Sequence, residues 1–127
     1  MRYEEAVERH FAAPSHVGPL AGGRVSRGEA GSRAKGTWIV IEACIDGGRV
    51  DRVAFQAFGC PHTIAACSRA TELLAGGAAG CLARFDPSVL AAELSIPPEK
   101  LGSLLILQDA LRNCFADWDT TQPAGPR

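Results

Sequence analysis

No apolar run in this chain approaches the roughly 20 residues needed to span a bilayer, so no membrane role is expected. Charge of one sign is missing too. Thirteen Lys and Arg against fourteen Asp and Glu leave a net charge of −1. Such a balance supplies no basic field to gather nucleic acid or an anionic membrane. The opening stretch "MRYEEAVERHF" is broken by acids and does not read as a secretory signal. The five cysteines, an odd number, argue against a disulfide framework and for a reducing, cytoplasmic setting. Among them there is no CxxC pair, and no HxxxH occurs, so a closed four-ligand zinc site is not legible.

What is present suits a globular protein. The hydrophobic share is 46% and the charged share 21%, both ordinary for a folded domain. The 127 residues suit a single domain, placed at residues 1–119, with "TTQPAGPR" (120–127) expected to be a disordered tail. Tyr3, Ala6, Val7, His10 and Phe11 recur at helical spacing and predict a helix over residues 2–12, stopped by Pro14. The Gly-rich segment 15–36 reads as loop, with at most a short edge strand near Arg24–Arg27. "TWIVIEACI" (Thr37–Ile45) alternates Ile39, Ile41, Ala43 and Ile45 onto one face and predicts a strand. "DGG" (Asp46–Gly48) predicts a hairpin turn and "RVDRVAFQAF" (Arg49–Phe58) the return strand. From Pro61 the period becomes helical through Ile64, Cys67, Thr71 and Leu74, until Gly76-Gly77. Residues 78–85 suit a helical turn. A short helix capped by Asp86 follows, then the stiff turn "SIPPEK", then a long helix from about Pro98 to Trp118. Leu101, Leu104, Leu105, Leu111, Phe115 and Trp118 form its expected core stripe. Helices after a small antiparallel meander indicate an α+β two-layer sandwich.

The stretch "AFGCPHTIAACS" (Ala57–Ser68) carries the chemistry. Cys60 sits at a predicted helix N-terminus, where the dipole favours a thiolate and lowers the thiol pKa. It reads either as a small buried residue in a tight turn or as a reactive thiol, a persulphide acceptor or one metal ligand. Cys67 follows seven residues later, a helical rise of about 10.5 Å. That exceeds the roughly 7 Å Cα limit for a disulfide, so Cys67 reads as core. His62 reads as a solvent-exposed imidazole, with metal sharing beside Cys60 as the rival reading. Cys44, Cys81 and Cys114 read as small hydrophobes, Cys81 with more exposure. His10 and His16 show no partner acid. No His–Asp or His–Asn constellation accompanies Cys60, so an enzyme is not expected.

Three segments carry a family likeness. "YEEAVERHFAAPSHVG" (Tyr3–Gly18), "FQAFGCPHTIAACSRATELLAGG" (Phe55–Gly77) and "IPPEKLGSLLILQDAL" (Ile96–Leu111) resemble the signature regions of the IscU and NifU amino-terminal-domain family of iron–sulphur cluster assembly scaffolds. The resemblance spans roughly residues 2–118. It implies a three-stranded antiparallel sheet covered by helices, and a role in building or carrying clusters from cysteine-derived sulphur. The family's site has three cysteines, an aspartate two residues after the first, and a histidine just before the third. Cys60 stands at the second cysteine. Ala34 and Gly36 stand at the first cysteine and the aspartate, and Gly102 and Ser103 at the histidine and third cysteine. The resemblance thus implies an iron–sulphur cluster or zinc as cofactor, on a degenerate ligand set. A pair of chains in a homo-oligomer would bring only two Cys60 thiolates together. "IPPEK" resembles the family's Leu-Pro-Pro-Val-Lys segment. That likeness implies an Hsp70-type chaperone contact at Ile96, Pro97, Pro98, Glu99 and Lys100, beside a cysteine desulphurase as the second partner. Glu99 replaces the apolar valine there. The alternative function is a cofactor-free binding module that keeps the scaffold fold and modulates a desulphurase, a chaperone or a true scaffold.

Overall fold

A computed structural model of the chain describes residues 5–122. Helix α1 (Glu5–Ala12) precedes a meander of β1 (Ser26–Ser32), β2 (Thr37–Asp46) and β3 (Arg49–Phe58). Helix α2 (Pro61–Leu74), a 3-10 turn (Ala79–Leu82), α3 (Pro87–Glu93), a second 3-10 turn (Pro98–Lys100) and α4 (Leu101–Thr120) follow. The sheet is antiparallel in the order β1-β2-β3. This is the expected α+β sandwich.

Alternation fixes which face is buried. Ile39, Ile41 and Ala43 of β2 and Val53 and Phe55 of β3 join Cys67 and Leu74 of α2 and Leu104, Leu107 and Leu111 of α4 in one core. Gly47 and Gly48, both at positive φ, make the two-residue hairpin turn that suits the strand twist. A register shift between Cys44 and Ile45 ends the clean alternation, leaving Ile45 only half-buried. Backbone bonds tie the end of α2 to this hairpin end of the sheet: Val50 N–H donates to Gly77 and Gly76 N–H to Val50, both at 2.8 Å. Gly76 takes the left-handed conformation that ends α2.

Close approach of α4 to the sheet rests on a missing side chain. A Cβ on Gly28 would lie 2.1 Å from the Ala110 carbonyl oxygen and 2.2 Å from the Cys114 nitrogen. β1 therefore lies flush under α4. The predicted edge strand near Arg24–Arg27 proves longer and displaced, to Ser26–Ser32. Its sequence, SRGEAGS, has little apolar alternation because one face meets helix backbone rather than side chains. Leu101 and Leu105 are exposed, and Leu107, Ala110 and Cys114 take their places in the stripe. In α1, Val7 and His10 are buried but Phe11 is half exposed; Tyr3 lies outside the described residues. Of the predicted tail, Thr120 still belongs to α4, and residues 123–127 lie outside the described residues. Among the described residues no helix is long and apolar enough to cross a membrane.

Candidate functional site

Cys60 is the N-cap of α2, with extended backbone and Pro61 at the first helical position. The turn that delivers it depends on Gly59, whose Cβ would meet the Thr63 side chain at 2.8 Å. Cys60 is half-buried and free. Its Sγ lies 3.6 Å from Thr63 Oγ1, and Thr63 Oγ1 lies 3.1 Å from Ser103 Oγ. The start of α2 is thereby joined to the start of α4. Thr63 Oγ1 donates to Ser103 Oγ, and its hydrogen can turn to the sulphur when Cys60 ionises. Burial pushes the Cys60 thiol up. The Thr63 hydroxyl, the Thr63 and His62 backbone N–H groups and the Lys100 ammonium outweigh that, and the net result is a thiol below its ordinary range.

The sulphur opens into a cavity of about 390 Å³. Its walls include Lys35 and Gly36 from the β1–β2 turn, Lys100 from the second 3-10 turn, and Gly102 and Ser103 from α4. Glu99 also lines it. A Cβ on Gly36 or Gly102 would meet nothing within 4 Å, so both glycines leave open space. The fold thus gathers sequence positions 36, 60, 102 and 103 around one hollow. Ala34 remains an exposed residue of the adjoining turn. That turn is braced from outside. The Arg33 guanidinium lies 5.1 Å from the centre of the Trp38 ring and 5.8 Å from that of Phe58, a cation held by two aromatic faces.

The remaining candidates sort differently. His62 is buried, at 5% exposure, against the expectation of a solvent-facing ring, because α2 packs its first turn against the molecule. Burial lowers its pKa first and Lys100 adds to that, while Glu99 opposes. It does not line the cavity. Cys67 is fully buried and its thiol is pushed far up by burial. Cys114 is pushed up to about 12 by burial, with Asp117 and Glu42 adding to it. Cys44 is buried and Cys81 half-buried. His10 has partners that its sequence neighbourhood does not reveal: Nδ1 lies 2.7 Å from Ser68 Oγ, and Nε2 lies 3.9 Å from Glu72. The "IPPEK" segment is not uniformly extended. Pro97 is, but Pro98–Lys100 closes into a 3-10 turn. Ile96 is buried in the core, which leaves Pro98 and Glu99 as the exposed part of the expected chaperone contact.

Thr63 and Lys100 escaped the sequence reading as shapers of the thiol, and Lys35 as a wall of its cavity. Thr63 stands at the third position after an N-cap, where a hydroxyl is well placed to reach back. The two lysines come from separate segments and carry no local signal.

The donor set decides what the cavity can hold. Zinc or a cluster iron needs about four sulphur, nitrogen or oxygen donors. Here one thiol and the hydroxyl residues Thr37 and Ser103 share the walls with two ammonium groups and a single carboxylate. Among the described residues no three His, Cys, Asp or Glu side chains gather as a metal site. These residues do not fit a complete cluster or a zinc ion.

Residues 2–124 match the family described as NifU-like N terminal domain. The iron-sulfur cluster assembly scaffold protein IscU of Haemophilus influenzae is 30% identical over 96% of this chain and 99% of its own length. The iron-sulfur cluster assembly enzyme IscU of Drosophila melanogaster is 31% identical over 94% of this chain and 80% of its own. In fold, the amino-terminal part of a nitrogen-fixing NifU-like protein from Brucella abortus superposes with a TM-score of 0.70 at 18% identity, covering 94% of this chain and 95% of that one. With the sheet order, the matched length and these relatives in agreement, the chain belongs to the NifU-like amino-terminal-domain family, to which the IscU scaffolds are related.

Proposed function

We propose that this member of the scaffold family serves iron–sulphur cluster assembly as a carrier of sulphur on Cys60, rather than by holding a whole cluster on its own residues. One observation carries the reading: a single thiol, lowered in pKa, opens into a cavity whose other walls offer two cations, one carboxylate and open space, short of a ligand set. A thiolate attacks the outer sulphur of a donor's persulphide. The donor's S–S bond breaks, its thiolate leaves, and Cys60 becomes a persulphide; no oxidant or reductant is consumed. The protein is then an acceptor and carrier, not an enzyme. Its partner is a cysteine desulphurase, and its setting a reducing compartment in which Cys60 stays free. A chaperone contact on this segment would be confined to the exposed Pro98–Glu99 edge, because Ile96 is committed to the core. A cluster or zinc ion visiting this site would take Cys60 as one ligand and draw the others from a partner.

Anaerobic incubation with a desulphurase and cysteine, followed by intact-mass and peptide analysis, tests this. The expected result is one added sulphur atom on Cys60, absent in Cys60→Ser. An unmodified Cys60 would leave the cofactor-free binding module as the better reading. Near-stoichiometric zinc or iron, lost in Cys60→Ser, would favour a ligand role over a carrier role.

A further inference from the structure

The cavity around Cys60 is larger than a docked persulphide sulphur requires, and its lining has a sign. Receiving one sulphur atom from a protein's fingertip needs an accessible thiol and little else. This thiol instead stands in a hollow of about 390 Å³ with Lys35 and Lys100 on separate walls and Glu99 as the opposing charge. Hydroxyls are present as well, Ser103 and Thr37 on the walls, with Thr63 behind Ser103 and bonded to it at 3.1 Å. Gly36 and Gly102 add no side chain to fill the space. Two cations, two hydroxyls and a nucleophile around one hollow form an arrangement for a small anion that carries a transferable sulphur. Two cations against one carboxylate leave the hollow net positive, and a net positive cleft concentrates small anions.

Resting on the carrier reading above, we propose that Cys60 also takes sulphur directly from small anionic sulphane-sulphur compounds, thiosulphate or a carboxylate-bearing thiol persulphide, seated between Lys35 and Lys100. With thiosulphate, the Cys60 thiolate attacks the outer sulphur. The S–S bond of thiosulphate breaks, its electron pair leaves on sulphite, and Cys60 carries the new persulphide. With a thiol persulphide the leaving group is the donor's thiolate. Both steps balance without a further reactant. Lys35 and Lys100 hold the sulphonate or carboxylate oxygens and meet the charge that builds on the leaving group. Glu99 opposes them, so the three side chains make opposite predictions from one cavity.

The test loads the full chain with thiosulphate alone, with glutathione persulphide alone, and with desulphurase and cysteine, and follows the added sulphur on Cys60 by mass. Wild type should accept sulphur from both small donors and from the desulphurase. Lys35→Gln with Lys100→Gln should slow loading from both anions about tenfold or more. Glu99→Gln should speed it, and added salt should flatten all three differences. Iodoacetate against iodoacetamide on Cys60 reports the same field without sulphur chemistry: the anionic reagent should lose its advantage in the double lysine variant. Loading from thiosulphate only would narrow the donor to the sulphonate class, and from glutathione persulphide only to the carboxylate class; either supports anion seating. Loading from the desulphurase but from neither anion overturns this inference and leaves the carrier reading standing. Loading from the anions at a rate indifferent to Lys35, Lys100 and Glu99 overturns it as well. No loading from any donor removes both.

Discussion

Gly28→Ala is the sharpest test of how this fold holds its site. The new Cβ would sit 2.1 Å from the Ala110 carbonyl oxygen, 2.2 Å from the Cys114 nitrogen and 2.8 Å from the Asn113 carbonyl carbon. Ordinary contact begins near 3.4 Å, so the shortfall is about 1.3 Å. All three obstacles are backbone, and no rotamer change relieves them. Either α4 lifts from β1 or β1 bends. Inserting one methyl into a packed interface costs about 1–3 kcal/mol, more where the neighbours are rigid, and the upper end of that range applies here. Against a domain stability of about 5–15 kcal/mol, the loss is large. The assay is urea unfolding at constant slope, where about 3 kcal/mol moves the midpoint by roughly 1–3 M. Gly102→Ala is the internal control. It lies in α4 with nothing within 4 Å of its Cβ and should stabilise by about 0.4–1 kcal/mol. Because α4 carries Ser103, lifting it should also change the alkylation rate of Cys60. A Gly28→Ala stability within about 0.5 kcal/mol of wild type would refute the flush packing of α4 on β1.

Three other outcomes are expected. Alkylation followed against pH should label Cys60 first, with Cys114 and Cys67 protected in the native state; Thr63→Val should move the Cys60 profile to higher pH, because the thiolate loses a hydroxyl donor while the thiol loses little. Ser68→Ala should cost about 1–3 kcal/mol by stranding the buried His10 Nδ1 and the Ser15 N–H that both meet the Ser68 hydroxyl, and hydrogen exchange should speed in α1; unchanged protection there would count against that clasp. Restoring the family's ligands as Ala34→Cys, Gly36→Asp, Gly102→His and Ser103→Cys together should convert weak zinc binding, read by equilibrium dialysis, into stoichiometric binding, and Cys60→Ser in that background should reverse it.

The meander and α2 were legible because alternation and helical period are local: Ile39, Ile41 and Ala43 mark their face within a few residues. β1 was poorly legible for the opposite reason. Its apolar partner is the backbone of α4, more than eighty residues away, so Gly28 is placed by absence of bulk and Gly31 likewise, its Cβ blocked at 2.2 Å by the Thr37 carbonyl oxygen. Leu101 and Leu105 misled the stripe of α4 because the first turns of that helix overhang a cavity and solvent rather than the core. At the site, Cys60 announced itself by its Gly-Cys-Pro turn. Lys35 and Lys100 did not, since each is an ordinary surface lysine until the β1–β2 turn and the second 3-10 turn meet. The burial of His62 and the Ser68–Glu72 partners of His10 likewise arise only when α1 and the loops close over α2.

The Arg33 brace has an optical consequence. Trp38 is one of two tryptophans in the chain, and it follows Thr37, a residue of the cavity wall. Its indole is covered by a cation two positions before Lys35. A shift of the Lys35 turn toward a bound anion would change the distance between that cation and the indole, now 5.1 Å. Trp118, near the far end of α4 among Arg24, Ile45 and Gln122, sees none of this. The molecule therefore contains its own fluorescent gauge and its own reference lamp, and filling the hollow beside Cys60 can be watched without attaching a dye.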